Sequence, residues 1–202
     1  MAAAFALPPR LPLITPRDGL LLRICSTALA DKEPCFRATR SYRFDDPEGK
    51  FETLYCAASF ETCYHETVVR DRRIDASTHR ILVPREIHDA KSLTMILVDW
   101  SALRIVELCD DGAHRIACDA SMLMGADYVP TQALARALYA HPDAPHGAVY
   151  RSRFNMRSHA IVLFDRARPM VRLHPAVRPT PLTEMNEVFL ALTALPVPIA
   201  LV

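Results

Sequence analysis

Four residues in this chain have side chains suited to chemistry on a charged substrate: Arg23, Arg43, Tyr55 and Glu66. Arg23 sits between Leu22 and Ile24 in an apolar segment, where a charge is costly unless something compensates it. Arg43 opens the run Arg43-Phe44-Asp45-Asp46-Pro47. A guanidinium offers planar, paired donors that match phosphate oxygens, so both arginines suit a diphosphate. The plainer reading of either is a structural ion pair or a snorkelling surface residue, and Arg37 and Arg40 are weaker candidates. Tyr55 lies toward a strand end, where it could stack on a nicotinamide ring or bond a ribose hydroxyl; a core tyrosine with a satisfied hydroxyl is the alternative. Glu66 could stabilise the positive charge that builds on a sugar carbon as its glycosidic bond breaks. Read from its position alone, it is an exposed helix glutamate. Taken together, the four suit a site that holds a dinucleotide diphosphate and cuts its glycosidic bond.

Such residues need elements to carry them. Leu20 to Cys25 reads as a strand bearing Arg23. Residues 30–50 are polar and turn-rich, with Asp45-Asp46-Pro47-Glu48-Gly49 a strong turn signal. Thr53 to Ala58 reads as a buried strand. Ser59 then suits an N-cap, and Glu61 suits the first turn of a helix running to about Arg70. On that helix Cys63, Glu66 and Thr67 share a face. Further strands are expected at Arg80 to Val83, Thr94 to Val98, Leu103 to Leu108, Gly147 to Arg151 and Ala160 to Phe164. Pro130 suits the first turn of a helix whose apolar face is Ala133, Leu134, Ala137 and Leu138. Residues 1–19 form a proline-rich arm and 20–168 the main domain. Residues 169–202 form a linker with Pro175, Pro179 and Pro181, followed by a last helix near Thr183 to Leu195. The apolar stretch Val188 to Val202 reads either as core packing or as an association surface, including one for a homodimer.

Composition excludes several classes. With 202 residues, 50% hydrophobic and 23% charged, one domain with a real core is expected rather than disorder. A net charge of +1 provides no basic field for a dedicated nucleic-acid binder. Six cysteines without a CxxC pair suit buried thiols in a reducing compartment. No charged n-region precedes a continuous apolar run, and no run of 18 apolar residues occurs, so neither a signal sequence nor a membrane span is expected and the cytoplasm follows. Neither HExxH nor any sequence pairing of histidine with cysteine occurs, so no metal site is expected. Cys63 and His65, two residues apart, face different sides of a helix and do not suit a thiol nucleophile with its base. With five glycines and no GxGxxG or GxxxxGK[ST], a Rossmann or P-loop nucleotide site is not expected.

Arg23, Arg43-Phe44, Leu54-Tyr55-Cys56-Ala57 and Glu66 resemble, in order and spacing, the first half of a RES domain. Tyr128-Val129-Pro130-Thr131-Gln132, Gly147-Ala148-Val149-Tyr150-Arg151-Ser152 and Val162-Leu163-Phe164 resemble the second half. The resemblance covers roughly residues 20–168. It departs where many members carry Gly-Gly-Arg-Trp-Asn and this chain has Ser41-Tyr42-Arg43-Phe44-Asp45, which bears on the shape of that loop. The resemblance implies an α+β fold related to the ADP-ribosyltransferases, with a split, mostly antiparallel sheet and flanking helices. It implies a bacterial toxin that degrades NAD by phosphorolysis or hydrolysis, with phosphate as a co-substrate in the first case and no cofactor. The partner it implies is an Xre-type helix-turn-helix antitoxin that covers the active site. By the same resemblance Glu66, Arg23 and Tyr55 are catalytic, and Arg43, Ser152, Tyr128 and Gln132 bind NAD. Two other readings stay open: transfer of ADP-ribose to a protein, and a catalytically silent regulatory partner of an Xre-like repressor.

Overall fold

The structure is a computed structural model, and it describes residues 5–16, 19–70, 72–185 and 199–201. Its strands are β1 (Leu13–Ile14), β2 (Leu21–Ser26), β3 (Thr53–Ala57), β4 (Ile74–Asp75), β5 (Arg80–Val83), β6 (Lys91–Val98), β7 (Ile105–Leu108), β8 (Gly147–Arg151), β9 (His159–Phe164), β10 (Val171–Leu173), β11 (Thr180–Pro181) and β12 (Ile199–Leu201). The helices are α1 (Phe60–Tyr64), α2 (Arg85–Asp89), α3 (Asp110–Arg115), α4 (Ala120–Met124) and α5 (Val129–Ala140), with short 3-10 turns between elements.

The central strands are nearly continuous apolar runs because both faces of their sheet are covered. Alternate residues supply two cores, as the period-two geometry of a strand requires. Val106, Leu108, Ala148, Tyr150, Ala160, Val162 and Phe164 face one core, where Leu134 and Leu138 of α5 meet Phe44 and Phe51. Ile105, Ile161, Leu163, Leu54, Cys56 and Ile96 face the other. The resulting sheet runs in the order β1-β7-β8-β9-β3-β2-β6-β10, with β11 also pairing with β6. All of its pairings are antiparallel except β7 with β8. A smaller sheet, β12-β5-β4, closes over a third core containing Tyr64, Val68, Val69, Val83 and Ile199. The fold is therefore mixed α and β around a mostly antiparallel sheet.

Backbones approach closely where β8 begins. A Cβ on Gly147 would lie 2.0 Å from the Val162 carbonyl oxygen, so only glycine fits opposite β9 there.

Ser59 caps α1 as expected, accepting from the Thr62 N–H at 3.3 Å, and Glu61 lies in the first turn. The continuation differs from a plain α-helix, because His65–Val69 winds as a π-helical turn before the chain leaves the helix at Arg70. Such wide turns insert a residue and re-aim side chains, and they recur at functional sites.

At the N-terminal side, residues 13–14 pair with β7 and Leu11 joins the core. At the C-terminal side, residues 171–181 extend the main sheet through β10 and β11. The helix expected near Thr183 to Leu195 falls mostly outside the described residues; Leu182–Glu184 is a single 3-10 turn. Of the apolar stretch 188–202, only residues 199–201 are described. They pack on this domain, pairing parallel to β5 with Ile199 buried.

Candidate active site

Where β2 and β3 meet α1 and the loop 39–45, the chain encloses a cleft of about 280 Å³. Among the described residues, five cations line it, Arg23, Arg37, Arg43, Arg70 and Lys91, and Glu66 is the one carboxylate. This imbalance of charge is invisible in a net charge of +1.

Arg23 reaches the cleft from β2 and is braced from behind. Its Nη1 donates to the Tyr55 carbonyl oxygen at 2.8 Å, and its Nε lies 3.2 Å from Oε1 of the buried Glu33. Burial lowers the Arg23 pKa, but the Glu33 carboxylate together with Cys56 and Cys25 outweighs it, and the pKa is raised. Glu33 in turn accepts from the Cys35 N–H at 2.7 Å. Sequence reasoning missed Glu33, since nothing local marks it as the partner of a residue ten positions away.

Arg43 is only 5% exposed, which removes the snorkelling surface reading. Its guanidinium carbon lies 5.4 Å from the centroid of the Tyr150 ring and 6.0 Å from that of Tyr128. Its Nη1 is buried and makes no hydrogen bond. A buried, charged donor without an acceptor is costly in a folded chain, and an anionic ligand would satisfy it.

The loop bearing Arg43 is held by one carboxylate. Asp45 is 1% exposed and receives five donors. Its Oδ1 accepts from the Thr53 hydroxyl at 2.7 Å and the Tyr55 hydroxyl at 3.0 Å. Its Oδ2 accepts from the Thr39 hydroxyl and from the N–H groups of Ser41 and Tyr42 at 3.1 and 3.0 Å. Loop shape therefore comes from this hub rather than from the two glycines that many RES domains carry. Replacing Asp45 by alanine leaves the buried Thr53 hydroxyl and the partly buried donors of Tyr55 and the loop without their acceptor, so a stability loss of about 3 kcal/mol is expected by denaturant unfolding. A loss below about 1 kcal/mol would show that water replaces the carboxylate.

Tyr55 places its ring in the cleft, edge-on to Tyr42 with centroids 5.8 Å apart. Its hydroxyl is committed to the loop, accepting from the Phe44 N–H at 2.9 Å while donating to Asp45. Burial, then the Asp45 charge, pushes its pKa well above the usual tyrosine value, so it stays protonated.

Glu66 projects from the π turn. Its Oε1 accepts from the Ser152 hydroxyl at 2.6 Å. Ser152 is fully buried and does not line the cleft itself; its oxygen also accepts from the Asn155 N–H at 3.0 Å. Asn155 is tied back to Thr62 of α1 at 3.3 Å. The segment after β8 thus fixes the carboxylate of a helix 86 residues earlier. Tyr128 lines the cleft and accepts from Arg70 Nη2 at 2.9 Å. Gln132 lies outside it, one turn further along α5, and donates to the Tyr42 carbonyl oxygen at 3.0 Å. Sequence reasoning also missed Arg70, whose guanidinium carbon sits 4.6 Å from the Tyr42 ring centroid. The available signal was its place four residues after Glu66, on the same helix face.

Cys63 lines the cleft, but its Sγ donates to the Leu22 carbonyl oxygen at 3.1 Å, and burial pushes its pKa up to about 12. Burial lowers the His65 pKa, keeping that ring neutral. Neither residue behaves as half of a thiolate–imidazolium pair.

A family model described as the RES domain matches residues 21–184. Among solved structures, a chain of the M. tuberculosis MbcT–MbcA toxin–antitoxin complex superposes with a TM-score of 0.59 at 16% identity, covering 84% of this chain and 87% of that one. At that identity the likeness is one of fold. No curated protein matches by sequence.

Proposed function

This chain belongs to the RES-domain family, and from that premise we propose that it is an NAD-consuming toxin of a toxin–antitoxin pair. The observation that carries the reading is Glu66, clamped by Ser152 and the single carboxylate among the described lining residues of a cleft whose other charged residues are cations. Arg43, with its unsatisfied buried nitrogen, and Arg23 take the diphosphate. The ring of Tyr55 lies against the nicotinamide end, and Tyr128 closes the same side. Glu66 faces the ribose, where it meets the positive charge that develops as the nicotinamide–ribose bond breaks. Phosphate or water then takes up the ADP-ribosyl group. A cleft of about 280 Å³ lies just below the usual range for small-molecule sites, so it encloses part of a dinucleotide and leaves the rest outside.

A site that destroys a shared cofactor has to be blocked in the cell that makes it. The partner in this reading is a small Xre-type helix-turn-helix antitoxin, and the place of action is the cytoplasm. Among the described residues no helix is long and apolar enough to cross a membrane. The MbcT–MbcA likeness supports the pairing. An electropositive cleft calls for a carboxylate or acidic segment on the partner. Expression of this chain alone in bacteria is expected to stop growth and deplete cellular NAD, and co-expression of the cognate partner to restore both. Normal growth with unchanged NAD, at confirmed levels of soluble protein, contradicts the reading.

A further inference from the structure

A second group of reactive side chains lies at the far end of β8. The register sets Leu108 of β7 beside Tyr150, and Arg151 beside His159 of β9. The two residues following β7, Cys109 and Asp110, therefore reach the same sheet end as the first residue of β9. There the Cys109 thiol, a carboxylate oxygen of Asp110 and a ring nitrogen of His159 all lie within 4.8 Å of one another. Cys109 is buried, while Asp110 and His159 are exposed. The sequence hides this set, because the histidine lies 50 positions after the cysteine.

We propose that Cys109, Asp110 and His159 form a binding site for a borderline divalent cation of the zinc type, with a fourth position open to water. One thiolate, one imidazole and one carboxylate are the donor classes such an ion takes, whereas magnesium or calcium would call for oxygen donors alone. With metal–ligand bonds of about 2.0 to 2.3 Å, a tetrahedral ion holds its donors roughly 3.5 Å apart, so the trio has to close by about an ångström. The exposed side chains of Asp110 and His159 can make that movement once Asp110 leaves Arg151, while buried Cys109 supplies the anchored ligand. Binding replaces the S–H bond with an S–metal bond and releases the proton to solvent.

The site has a built-in competitor. Arg151 Nη2 donates to Asp110 Oδ1 at 2.9 Å, and its Nη1 donates to the Met156 carbonyl oxygen at 3.1 Å. Arg151 thus braces the 152–158 segment that carries Ser152 and Asn155, the supports of Glu66. An ion that takes Asp110 removes one of the two anchors of Arg151. Metal binding and the support of Glu66 are linked through this residue. Metal occupancy is therefore expected to lower turnover, a consequence that rests on the function proposed above, whereas the binding itself does not.

The test uses the full chain freed of any affinity tag, with Co²⁺ and Zn²⁺ alone as probes. One equivalent of Co²⁺ should produce a near-ultraviolet sulfur-to-metal charge-transfer band, and one equivalent of Zn²⁺ should abolish it. Cys109→Ser should remove the band. His159→Ala, at an exposed position that leaves the fold intact, should weaken Zn²⁺ binding at least tenfold by calorimetry. Arg151→Gln should strengthen it by freeing Asp110. Absence of the band in the parent protein overturns the proposal, and so does Zn²⁺ affinity that His159→Ala leaves unchanged. NAD turnover measured with and without Zn²⁺ reads the linkage separately from the binding.

Discussion

Glu66→Gln should fold normally and lose most of its NAD turnover, by about a hundredfold or more. The two halves of that expectation have separate causes. Glu66 is half-buried, and its hydrogen bond to Ser152 has the hydroxyl as donor, so the amide oxygen of glutamine can accept it equally well. Shape and packing are kept. What disappears is the negative charge that, in the proposed reaction, faces the ribosyl cation. A preorganised electrostatic contact of this kind is worth about 3 kcal/mol in the transition state, which is roughly two powers of ten in rate. The loss should appear in kcat rather than in KM, because the charge it meets exists only in the transition state. Turnover equal to that of the parent would remove Glu66 from the chemistry and return it to the role of a helix glutamate.

Arg43→Lys should raise the KM for NAD about tenfold or more, although it conserves charge. Arg43 occupies a slot only 5% exposed, against Tyr150 and Tyr128, with a buried nitrogen that makes no hydrogen bond. Lysine preserves the cation near those rings but cannot offer two parallel donors to a diphosphate. Losing one charge-assisted hydrogen bond costs about 1.5 to 3 kcal/mol, the source of the tenfold figure. A surface ion pair would cost under about 1 kcal/mol. A KM equal to that of the parent would mean that the diphosphate does not reach Arg43.

How far the site was legible varied with the range of the forces involved. β3, β9 and α5 were legible because continuous apolar runs and a proline at a helix start are local signals. Helices α3 and α4 were not, since six and five residues are too few to show a period. The π turn under Glu66 gave no signal either, because its sequence, His65 to Val69, continues the apolar face of α1. Asp45 read as a turn residue, and it does sit in a turn. Its larger role depends on donors from Thr53 and Tyr55, which only the fold brings to it. The same holds for Ser152, named by resemblance for substrate binding and found buried behind Glu66. Gln132 was expected beside the substrate, but the turn of α5 points it to the Tyr42 carbonyl oxygen. The cleft's charge was legible only in part: Arg23 and Arg43 stood out in sequence and Arg37 was a weaker candidate, whereas Arg70 and Lys91 joined them through tertiary structure.

The central claim is that this cleft breaks the nicotinamide–ribose bond of NAD. Its most direct test is incubation of the purified chain with NAD, in the presence and absence of inorganic phosphate, followed by mass measurement of the products. The expected result is release of nicotinamide, with the remainder recovered as a phosphorylated ADP-ribose when phosphate is present or as free ADP-ribose when water is the acceptor. Intact NAD under both conditions, from folded protein free of any partner, would contradict the claim.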